Sequence, residues 1–146
     1  MSATYEGDLY AWTQAQAQAL REKEWEALDV AHLAEEIESL GNEQAHAVES
    51  HLANLLLHLL KWHYQPRRRS RSWRTSLHNA RVEIRRRLRR SPSLRPELPT
   101  LVEIAYADAR KLAMHETGLP LATFPERCPW SPDQLQDEDF LPEETQ

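Results

Sequence analysis

Residues 48–62 read VESHLANLLLHLLKW, and this stretch decides the fold. Val48, Leu52, Leu55, Leu59 and Trp62 step by four, three, four and three. That is the spacing of an α-helix with one face packed in a core. The helix is predicted to begin at Asn42 and to end before Pro66, since the residue ahead of a proline avoids the helical region. Nothing in the chain alternates with period two over a useful length, so no strand is expected.

Working upstream, Val30, Leu33, Ala34, Ile37 and Leu40 predict a buried stripe on a helix over Asp29–Leu40, stopped by Gly41. Glu35 and Glu36 point away from that stripe, and Glu38 lies at its border. A first helix over Asp8–Arg21, capped by Asp8, puts Leu9, Trp12, Gln16 and Leu20 on one face. Downstream, Ser70 or Ser72 caps a helix carrying Trp73, Leu77, Ala80, Ile84 and Leu88, which ends near Ser91-Pro92. Another follows from Pro96 or Pro99 to Glu116 with Leu98, Leu101, Val102, Ala105, Ala109 and Leu112 inward, and Gly118-Leu119-Pro120 stops it. Residues 119–146 hold five prolines, and Ser131-Pro132 opens a short helix over Asp133–Gln136. Phe124, Trp130, Leu135, Phe140 and Leu141 are too many large apolar groups for a free tail. The expectation is an all-α, compact bundle of about five helices over 1–118. A Pro-rich irregular strap, 119–146, is laid on it, making one domain in all.

With 146 residues the chain has room for one real core. Its single cysteine, Cys128, fits a reducing compartment and rules out an internal disulfide framework. No leader and no membrane-length apolar run is visible, so a cytoplasmic protein without membrane contact is expected. Charge is segregated. Residues 1–60 carry eleven acids and two bases, residues 61–90 twelve bases and one acid, and residues 91–146 eleven acids and four bases. Most of the central bases are arginine, whose flat fork suits carboxylates and phosphates. One reading pairs this segment with Glu35, Glu36 and Glu38, within the chain or across a homodimer. The other makes residues 67–90 a nucleic-acid surface through Arg67, Arg68, Arg69, Arg85, Arg86 and Arg89.

Histidine invites a metal or acid–base site. His51 and His58 share a face at the border of the core stripe, within reach of Glu36 or Glu38 if the two predicted helices pack together. The Glu-x-x-His step at Glu43 and His46 is not repeated on a second helix, so no metal ligand set is assigned. Three scattered glycines leave no phosphate loop, and no serine sits in a glycine-flanked elbow. No cofactor and no catalytic residue are expected.

The segments 8–13 (DLYAWT), 33–41 (LAEEIESLG), 56–62 (LLHLLKW), 64–66 (YQP), 69–73 (RSRSW), 91–94 (SPSL), 106–110 (YADAR), 129–130 (PW) and 140–142 (FLP) together resemble a bacterial family of unknown function, numbered 29. The resemblance runs in order along nearly the whole chain. It implies a compact α-helical domain of about this length, with no established biochemical role and no assigned catalytic residues. The recurring positions are Glu35, Glu36, Glu38, His58, Trp62, Arg71, Trp73, Asp108 and Arg110. They suggest an Arg–Glu network holding helices in register. The expected role is a non-enzymatic protein-interaction module acting on an unknown protein or on a second copy of itself.

Overall fold

The computed structural model describes residues 3–143. Among them the chain forms five α-helices and no strand: α1 (Leu9–Arg21), α2 (Val30–Tyr64), α3 (Arg71–Arg90), α4 (Leu98–Thr117) and α5 (Pro132–Gln136). The all-α reading holds. The chain divides into two compact units, one ending at Glu43 and the other beginning at Gln44. Residues 144–146, the end of the predicted strap, lie outside the described residues.

Helix ends follow local chemistry. Asp8 caps α1 by accepting from Ala11 N at 3.0 Å, and Ser70 caps α3 by accepting from Trp73 N at 3.2 Å. Gly118 ends α4 in the left-handed conformation at φ 76°, where its N–H reaches Met114 O. α1 ends in the same way on Lys23 at φ 59°, with Glu24 N closing back on Ala19 O at 2.9 Å. Ser131 and Gln134 form a reciprocal capping box at the head of α5.

The predicted break at Gly41 is absent, since α2 runs straight through it. A glycine inside a helix costs only about 1 kcal/mol relative to alanine. Asn42, Glu43 and Gln44 contain no proline to force a turn, so the strong apolar periodicity downstream carries the helix on. Glu35, Glu36 and Glu38 therefore share a helix with His58, rather than facing it from a neighbouring one.

The first unit is built from α1 and the start of α2. Trp12, Gln16 and Ala19 are buried. Gln16 ties the connection down, giving Nε2–H to Ala27 O at 3.3 Å and accepting from Asp29 N at 2.8 Å. The predicted stripe on α2 is not covered here. Val30, Ile37 and Leu40 are 69%, 65% and 63% exposed, and on α1 Leu9 and Leu20 are also exposed. Periodicity marks the face that would be buried, but it does not supply a partner to bury it.

The second unit holds the main core. Val48, Leu52, Leu55, Leu56, Leu59 and Leu60 from α2 meet Leu77, Ala80, Ile84 and Leu88 from α3, and Leu98, Val102, Ala105, Tyr106 and Ala109 from α4. Phe124 and Leu135 close it from the segment after α4. Leu56 and Leu60 lie off the predicted stripe yet are fully buried, because α2 is covered on more than one side here. Leu112 was predicted inward but is exposed. It lies on the outer side of α4, while Ala109 and Ala113 on either side of it in sequence take the buried face.

Candidate interaction surfaces

Three features stand out: an aromatic and carboxylate cluster in the first unit, the bare apolar face beside it, and the arginines of the second unit. The cluster forms at the head of α2. Asp29 accepts from Trp12 Nε1 at 3.2 Å and from His32 N at 3.4 Å, and its Oδ2 stands 2.7 Å from His32 Nδ1. The Tyr5 ring stacks on His32 at 4.1 Å and meets Trp12 edge-on at 4.9 Å. The Tyr5 hydroxyl donates to Glu36.

This geometry shifts three groups. The hydrogen bond from His32 holds the Asp29 carboxyl below its ordinary value, and the same bond raises His32. Donation to Glu36 pushes the Tyr5 phenol up to about 12. Each polar group here is engaged by another, so the cluster reads as a latch of α1 and the N-terminal chain onto α2. His32 carried no expected role. The signal that finds the latch is Asp29 three residues ahead of His32, a helix-capping spacing.

Of the predicted polar-network residues in this unit, Glu36 is half-buried under Tyr5, whereas Glu35 and Glu38 are exposed. In the second unit, His58 Nδ1 lies 2.8 Å from Asn54 O, one turn earlier on its own helix. His51 Nε2 stands 4.0 Å from Glu83. Asp108 is exposed beside Lys111 in a shallow hollow with Ser50 and Asn54. Among the described residues no group of three or more His, Cys, Asp or Glu is placed to hold a metal ion. Burial pushes the Cys128 thiol upward, and its Sγ–H points to Trp130 O at 3.4 Å, so it is a poor nucleophile.

The arginines divide by partner. Arg81 is 3% exposed and gives Nε–H to Leu135 O and Nη2–H to Phe140 O, both at 2.9 Å. Two longer contacts at 3.5 Å reach Glu138 O and Gln134 O. Burial pulls its guanidinium downward, and the charges of Asp137, Glu138 and Asp139 pull it back. Arg110 does the same for the turn before: Nε and Nη2 donate to Phe124 O at 3.2 and 3.0 Å, and Nη2 to Leu121 O at 3.2 Å. Arg81 and the half-buried Arg110 thus hold main-chain carbonyls, where an Arg–Glu network had been expected. The segment after α4 has few helical hydrogen bonds of its own, so its inward carbonyls need donors, and a guanidinium carries five.

Arg85 pairs with Glu138, Arg86 with Glu83 at 3.1 Å, and Arg87 donates to Gln44 at 3.3 Å. Arg69 gives Nε–H to Trp62 O at 2.8 Å. Arg67, Arg68, Arg71 and Arg89 are exposed. Arg81 was legible in the sequence as a position of the Leu77, Ile84, Leu88 stripe, and its charge hid it.

Among the described residues no helix is long and apolar enough to cross a membrane. Comparison with curated proteins and with solved structures brought no match. The family described as Domain of unknown function DUF29 matches residues 4–141, nearly all of the sequence. By that match, this chain of caps, stripes and carbonyl-bound arginines belongs to the DUF29 family.

Proposed function

We propose that the chain is a non-catalytic protein-association module whose first unit pairs with a second copy of itself through the exposed face of α2. The observation that carries this reading is the exposure of Val30, Ile37 and Leu40, each more than three-fifths accessible, on a well-formed helix.

Their spacing argues for a second copy as the occupant. Val30 and Ile37 fall at the first position of a seven-residue repeat, and Leu33 and Leu40 at the fourth. β-branched residues at the first and leucine at the fourth favour two parallel helices. The flanks agree. One edge carries Glu36 and Glu43, the other Ala34 and Gly41. Parallel pairing sets Glu36 against Gly41 of the other copy, whereas antiparallel pairing sets glutamate against glutamate.

Two repeats make a modest interface. Eight apolar side chains offer roughly 1–2 kcal/mol each when covered, against an association cost of about 4–15 kcal/mol. That supports weak, concentration-dependent pairing. The nucleic-acid reading has less support. Arg81, Arg85 and Arg86 are already engaged, and residues 1–43 carry ten acids against two bases, which repel a polyanion.

Sedimentation equilibrium of the full chain, from low micromolar to near-millimolar, tests the proposal. A monomer–dimer equilibrium is expected, abolished by Ile37→Glu with Leu40→Glu at unchanged helicity. In a Cys128→Ser background, Leu33→Cys crosslinks to itself if the helices run parallel. A chain that stays monomeric throughout, or a dimer indifferent to the double variant, overturns the reading.

A further inference from the structure

We infer that residues 3–8 form an arm on the first unit that opens as the pH rises, with the His32 imidazolium as its clasp. Tyr5 supplies the contacts that fasten the arm. Its ring lies flat on His32 at 4.1 Å and meets Trp12 edge-on at 4.9 Å, and its hydroxyl donates to Glu36. The arm's own backbone bonds turn inward. Gly7 N reaches Thr4 Oγ1 and Asp8 N reaches Thr4 O, both at 3.0 Å, so they travel with the arm. Thr4, Glu6 and Gly7 are exposed. Beneath lies a hollow of about 640 Å³, lined by residues 3–6 together with Trp12, Gln16, Ala27, Asp29 and His32. The arm spans this space without filling it, and a segment with few buried contacts opens at low cost.

Charge makes the fastening depend on one proton. Tyr5 and His32 face Glu6 from the arm itself, Asp29 from the head of α2, and Glu35 and Glu36 from α2. α1 presents Trp12 and Gln16, and the turn before α2 presents Ala27, all uncharged. Among the described residues no lysine or arginine lines the hollow. A protonated His32 therefore stands as a cation among four carboxylates. It draws Glu6 inward and sets positive charge against the face of the Tyr5 ring.

When the proton leaves, the neutral ring can still give Nδ1–H to Asp29, so the bond at the head of α2 stays. What disappears is charge. The ring contact with Tyr5 weakens, and Glu6 is left facing three other carboxylates with no cation between them. His32 is raised above its ordinary 6.5 by its bond to Asp29, so the arm is held in full below 6.5 and freed as the pH passes the raised value. Over that range the Tyr5 phenol, pushed up to about 12 by its bond to Glu36, keeps its proton, and Asp29, held low by the bond from His32, stays ionised. Opening uncovers the buried Trp12 indole and frees Glu36 beside Ile37. The clasp works within one copy, whether or not the α2 face pairs.

NMR of the full chain between about pH 6 and pH 9 tests the arm. The Tyr5 ring protons, displaced by stacking at the acid end, should move towards free-tyrosine positions. The cross-relaxation between the Tyr5 and Trp12 rings should fade with them, and both should follow the midpoint of the His32 ring. Loss of one cation–π contact corresponds to a rise in the open population of about two- to fivefold. His32→Gln should remove the step and leave Tyr5 near its open positions throughout. Glu6→Gln, at an exposed site, takes away the arm's own carboxylate and should shrink the step, and it decides the matter even where His32→Gln disturbs the packing of α1. Tyr5 signals that stay put across the range, a step of unchanged midpoint in His32→Gln, or a step of undiminished size in Glu6→Gln overturns the inference.

Discussion

Replacing Arg81 tests the claim that a guanidinium, rather than apolar packing alone, fastens the segment after α4. Its two strong bonds run at 2.9 Å to Leu135 O and Phe140 O, and the two contacts at 3.5 Å add little. Hydrogen bonds from a charged donor contribute about 1.5–3 kcal/mol each, so the pair sets a gross value of roughly 3–6 kcal/mol. Removing the charge also removes its desolvation cost, and released carbonyls regain some water. For Arg81→Met, which keeps the aliphatic stem, the net loss expected is about 2–3 kcal/mol. At 2–4 °C per kcal/mol for a chain of this size, the melting temperature drops by about 4–12 °C. Arg81→Lys keeps the cation without the fork and should sit between the two. Hydrogen exchange supplies the local readout, since amides in 131–141 should lose protection before those of Leu52–Leu60. A loss below about 1 kcal/mol with unchanged exchange in 131–141 would refute the reasoning.

Three further outcomes are expected. Leu55→Ala, in the closed core of the second unit, should cost about 2–5 kcal/mol in urea denaturation, whereas Ile37→Ala should shift dilute monomer by less than about 0.5 kcal/mol. Lys23→Gly, at the left-handed end of α1, should stabilise the first unit by about 0.5–1 kcal/mol, read from its thermal melt. The latch at Asp29 and His32 should be pH-dependent on both sides. His32 is raised by its bond to Asp29, so its contribution is whole below its ordinary 6.5 and fades as pH rises through the raised value. Asp29 is lowered, so its contribution is present above its ordinary 3.8 and is lost as pH falls through the lowered value. NMR titration of the His32 ring should give a midpoint above 6.5, and Asp29→Asn should return it towards that value.

Much of the architecture was legible from residue order because it rests on local rules. The four-three spacing of Val48 to Trp62 identified a core helix. Asp8, Ser70, Ser131 and Gly118 marked helix ends, since a cap's geometry involves only its own few residues. Gly41 misled for the same reason. A glycine permits a stop but does not require one, and nothing local distinguishes the two outcomes.

What depends on distant partners was settled only by the tertiary structure. The same periodicity that correctly buried Leu52 and Leu55 pointed to Val30, Ile37 and Leu40, which are bare, because an apolar stripe carries no information on whether another surface covers it. Likewise, composition showed a block of arginines without showing that Arg81 and Arg110 would turn inward to carbonyls more than fifty and more than ten residues away. Local sequence determined where helices form and which faces are apolar. Long-range packing decided which apolar faces are covered and which charges are answered, since burial and pairing are properties of two surfaces at once.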